Sequence, residues 1–123
     1  METTPSSPAA TTTADEPRAL VLVLTTLPAG HDADAFLQAL LEARLIACGS
    51  IQGPVRSVYR WQGTIEKSDE QQIVLKTSAA RTVELEEAVR ALHPYEVPEW
   101  LVLPVTAASS AYTAWVLGET ASR

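Results

Sequence analysis

Apolar and polar positions along this chain fall into two periods, and the switches between them mark the elements. Arg18 to Thr26 (RALVLVLTT) is an almost continuous aliphatic and β-branched run. Pro28 and Gly30 follow it, so the run predicts a strand buried on both faces. Asp32 is placed to cap a helix. In that helix Phe36, Leu37, Leu40, Leu41 and Leu45 recur at helical spacing, while Asp34, Gln38, Glu42 and Arg44 take the other face. Ile46 to Ile51 is a short apolar segment ending at Gly53-Pro54. Val55 to Trp61 then alternates, with Val55, Ser57, Tyr59 and Trp61 on one side and Arg56, Val58 and Arg60 on the other. Gln62-Gly63 predicts a tight hairpin, because glycine supplies the positive φ that a two-residue turn demands. The next strand leaves from Thr64 and reaches Lys76-Thr77, with a bulge expected in Lys67-Ser68-Asp69. Thr82 to Leu92 is helical, with Leu85, Ala88, Val89 and Leu92 on one face, and Pro94 ends it. Trp100 to Thr106 predicts a last strand, with Pro104 at an edge or a bulge because it has no N–H for a ladder. Ser109 or Ser110 caps a final helix carrying Tyr112, Trp115 and Val116.

The order β-α-β-β-α-β plus a terminal helix predicts an α+β fold, the ferredoxin-like split βαβ sandwich with both main helices on one face of an antiparallel sheet. Tyr59, Trp61, Ile65, Ile73 and Leu75 supply more apolar strand surface than two helices cover, which points to a partner subunit.

Composition narrows the function. At 123 residues the chain suffices for one ordinary domain. Its longest apolar run, Ala19 to Leu24, is far too short to cross a membrane as a helix. Fifteen acidic against nine basic residues, net −6, argue against a nucleic-acid surface. Residues 1–17 are rich in Thr, Ser, Pro and Ala, and they are expected to be a disordered extension ahead of a domain at residues 18–123. That tract carries Glu2, Asp15 and Glu16, so the rest is only −3. It has neither the basic start nor the apolar stretch of a secretory signal, and a cytoplasmic location is expected. The single cysteine, Cys48, excludes an intrachain disulfide and a multi-thiolate zinc site within one chain.

Four strings then line up: Ala47-Cys48; Ser57-Val58-Tyr59-Arg60-Trp61-Gln62-Gly63; Glu70 with Lys76-Thr77; and His93-Pro94-Tyr95-Glu96-Val97-Pro98-Glu99. Tyr112 and Trp115 follow at the spacing of a closing helix. Together, over about Val21 to Leu117, they closely resemble the CutA family of divalent-cation tolerance proteins. The resemblance implies a ferredoxin-like subunit in a tight homotrimer, with long hairpins reaching across subunit boundaries. It also implies a link to tolerance of copper or other divalent cations, and no established catalytic reaction. Some members carry a cysteine at the end of the first strand, a proposed ligand; this chain has Thr25 there, and a hydroxyl is a poor copper ligand.

Several side chains are candidates for that chemistry. His93 offers an imidazole and Glu99 a carboxylate, and both could face one cleft because two prolines hold the segment between them extended. Alternatively, His93 bonds a backbone group at a helix end while Glu99 pairs with Lys76 or an arginine. Cys48 is either a soft ligand for Cu(I) or a small buried hydrophobe. Tyr59, Trp61, Tyr95, Trp100, Tyr112 and Trp115 either line an aromatic cleft or pack a core or subunit interface. Lys76 either neutralises an anionic ligand or pairs with Glu70 or Glu99. His31 reads as a solvated loop residue, and Glu84, Glu86 and Glu87 as a solvated helix face. No nucleophile is paired with a base, and no phosphate-cradling loop, Cys-x-x-Cys motif or site for an organic cofactor is visible, so no enzyme activity is assigned. The leading reading is a trimeric copper or divalent-cation binding protein. A PII-like trimeric small-molecule sensor and a trimeric protein-docking hub are the alternatives.

Overall fold

The computed structural model describes residues 19–122, so the expected N-terminal extension at residues 1–17 lies outside the described residues. The elements are β1 (Leu20–Pro28), α1 (Ala33–Glu42), β2 (Cys48–Trp61), β3 (Thr64–Ser78), α2 (Thr82–Leu92), β4 (Leu101–Pro104) and α3 (Ser110–Glu119). One antiparallel sheet runs in the order β2-β3-β1-β4, which is the ferredoxin-like arrangement.

Local chemistry sets these boundaries. The Asp32 carboxylate accepts from the Ala35 amide at 3.0 Å and starts α1. Ser109, rather than Ser110, caps α3 through the Tyr112 amide at 3.1 Å. At the hairpin tip Gln62 and Gly63 take φ of 49° and 86°, both positive as a type I′ turn requires. Pro104 pairs with Val21 on the outer strand β4, the edge position expected for it.

Three expectations are corrected. The strand irregularity does not fall at Lys67-Ser68-Asp69, which pair without a break with Val58, Ser57 and Arg56. It lies instead on β2 between Gln52 and Val55, at Gly53-Pro54, where Pro54 has no N–H to give the ladder. The segments either side of this shift are therefore one strand of 14 residues, not a short apolar segment and a separate strand. The last strand is also shorter than the expected Trp100 to Thr106.

The main core lies between one sheet face and two helices: Val21, Val23, Leu27, Ile73 and Leu75 meet Phe36, Leu40, Leu85 and Val89. α3 crosses to the other face, where Val116 packs with Leu20 and Ala47. Beyond Glu70, β3 no longer pairs with β1, so Arg56–Trp61 and Thr64–Asp69 form a ribbon reaching roughly 20 Å past the sheet. Its Val58 and Ile65 are each 58% exposed, and Leu101 on β4 is 52% exposed.

Candidate functional site at the His93–Glu99 segment

α2 ends because Pro94 forces His93 into an extended conformation, with ψ of 137°. The chain then returns across the far end of β1. His93 is only 8% exposed there, and both ring nitrogens are engaged. The Tyr95 amide donates to Nδ1 at 3.1 Å, and Nε2 lies 2.6 Å from the Thr26 carbonyl oxygen. An amide can only donate and a carbonyl can only accept, so the partners assign the proton to Nε2 and leave the ring neutral. Burial holds the imidazole below its usual pKa, with the nearby His31 adding to the effect, while the Thr26 bond and the Glu70 charge oppose it. Phe36 meets the ring edge-on at 6.5 Å between centroids, and Tyr95 packs at 4.9 Å.

Beside this histidine, Glu70 on β3 is 6% exposed. Its carboxylate accepts from the Ser57 hydroxyl at 2.6 Å, the Tyr95 hydroxyl at 2.7 Å and the Thr26 hydroxyl at 3.3 Å. Burial and that same carboxylate push the Tyr95 hydroxyl well above the usual tyrosine range, so it remains a donor. Half-buried Glu99 has its carboxyl raised by burial first and by the Glu70 charge second. Among the described residues no lysine or arginine forms an ion pair with Glu70 or Glu99. The Glu70 charge thus acts on both the Glu99 carboxyl and the neutral imidazole.

The other candidates are placed elsewhere. Cys48 and Lys76 face one another across β2 and β3, in the cross-strand row of Leu22. That row is four residues along β1 from Thr26, roughly 13 Å, so Cys48 does not join His93 and Glu99. Lys76 is six residues along β3 from Glu70, roughly 20 Å, and makes neither of the ion pairs considered for it. Tyr59 and Trp61 stand on the ribbon, with the Tyr59 hydroxyl 2.8 Å from that of Ser68. Trp115 packs against Tyr112 on α3, with the rings tilted and their centroids 5.6 Å apart. Thr25 is fully buried, and its hydroxyl has no hydrogen-bond partner. His31 is half-buried rather than solvated, its carbonyl held by the Gln71 amide at 2.9 Å. Among the described residues no three His, Cys, Asp or Glu side chains of one chain gather to hold a metal ion.

Sequence reasoning gave Glu70 no role of its own at the site, and passed over Ser57 and Thr26 as its partners. Nothing local marks this network, since the three donors lie 13, 25 and 44 residues from Glu70. The one available signal was an acidic residue in a strand whose inward neighbours are apolar.

The four-stranded antiparallel sheet with its helices defines a small α+β domain of the ferredoxin-like class. The chain belongs to the CutA1 divalent ion tolerance protein family, whose model matches residues 21–119. It is 39% identical to the divalent-cation tolerance protein CutA of Thermus thermophilus over 95 residues, covering 77% of this chain and 92% of that protein. Among solved structures, CutA from Synechococcus elongatus superposes with a TM-score of 0.79 at 40% identity, covering 85% of this chain and 92% of the other. CutA1 from Oryza sativa superposes with a TM-score of 0.81 at 28% identity, covering 85% and 96%.

Proposed function

We propose that this chain is a homotrimeric cytoplasmic protein that binds divalent cations, copper foremost, and that it serves metal tolerance by binding rather than by catalysis. The observation supporting the metal reading is the Glu70–Glu99 pair: among the described residues neither carboxyl group has a basic partner, and Glu99 is raised by burial first and by the Glu70 charge second. A divalent cation relieves that repulsion, and carboxylate oxygens accept one readily. Glu99 is the principal ligand in this reading. His93 joins through Nδ1 when the Tyr95 amide gives way, and water or a neighbouring copy completes the shell. Cys48 serves only as a separate, softer position.

The homotrimer reading is supported by the exposed apolar side chains of the ribbon and β4, because a two-stranded ribbon is marginal alone in water. In it, Tyr59, Trp61, Tyr95 and Trp115 are interface or cleft residues. The two-residue turn between β2 and β3 speaks against the long mobile loop of a PII-like sensor. Calorimetric titration with Cu(II) tests the metal reading: Glu99→Gln should weaken binding by about tenfold or more, and unchanged affinity would refute it. Sedimentation at micromolar concentration tests the assembly, and a folded monomer of 13.2 kDa would overturn it.

A further inference from the structure

We draw no further inference here: the strongest candidate, the outward face of α2 where exposed Val83 stands beside Glu84 and Glu87, is an acidic patch without a second feature that points to a ligand, and nothing in the structure shows what covers it.

Discussion

Truncating His93 to alanine removes two hydrogen bonds and a packed ring at once. The Thr26 carbonyl and the Tyr95 amide lose their partners, at about 1 kcal/mol net for each bond. The contacts with Phe36 and Tyr95 go too, at about 0.5–1.5 kcal/mol for an aromatic pair. Because the side chain is buried, a void remains, and the total should resemble a large-to-small core change, about 3–5 kcal/mol per chain. His93→Gln keeps one acceptor and one donor on a side chain of similar reach, and should recover about half of that loss. Urea unfolding followed through the three tryptophans measures both variants, at one fixed protein concentration because assembly links stability to it. The pH dependence follows from the same geometry. The folded-state pKa lies below the unfolded value of 6.5, so the unfolded chain binds the proton first. Stability is therefore complete above pH 6.5 and declines as pH falls from there toward the lowered folded-state value, by at most about 1.4 kcal/mol per pH unit. The His93 contribution to that slope should vanish in His93→Gln. A His93→Ala chain within about 1 kcal/mol of the parent would refute the structural role assigned to the buried imidazole.

Three further outcomes are expected. Tyr95→Phe deletes the 2.7 Å donor to the Glu70 carboxylate and should cost about 1.5–3 kcal/mol in urea unfolding; no measurable loss would show the bond to be idle. Glu99→Gln should leave the chain slightly more stable at pH 7, because a carboxyl with a raised folded-state pKa stabilises only at low pH and loses that contribution as pH rises through the raised value. Parallel pH-dependent melts check this, and a less stable variant at pH 7 would contradict it. Removing Met1 to Asp15 should leave the thermal midpoint within a few degrees, since that stretch has no large aliphatic residue after Met1; a larger drop would show that it docks on the domain.

The elements were legible where one period dominated. Phe36, Leu37 and Leu40 named the buried face of α1, and Asp32, Gln62-Gly63 and Pro94 marked boundaries that the structure keeps. The bulge was misplaced because Lys67-Ser68-Asp69 breaks the apolar alternation without breaking the pairing, whereas Gly53-Pro54 breaks the ladder by lacking a donor. At the site, the extended His93–Glu99 segment was readable from its prolines. The partners of its residues were not, because Thr26, Ser57 and Glu70 come to Tyr95 and His93 only through tertiary pairing. Lys76, by contrast, stands six residues from Glu70 on the same strand, so their separation of roughly 20 Å was already legible in the sequence.

The position of β1 also sets a timetable. It is the first strand of the domain to be synthesised, yet it lies inside the sheet, and its two neighbours are β3 and β4. The β2–β3 hairpin closes locally and early, since its turn is two residues long. β1 must wait for β3, and its other edge stays open until Leu101–Pro104 has been made. At ribosomal rates the interval from Pro28 to Leu101 is about 4–15 s, during which an apolar strand has no complete set of partners. The run that reads most plainly as core in the sequence is thus, in the nascent chain, the segment most exposed to wrong pairing.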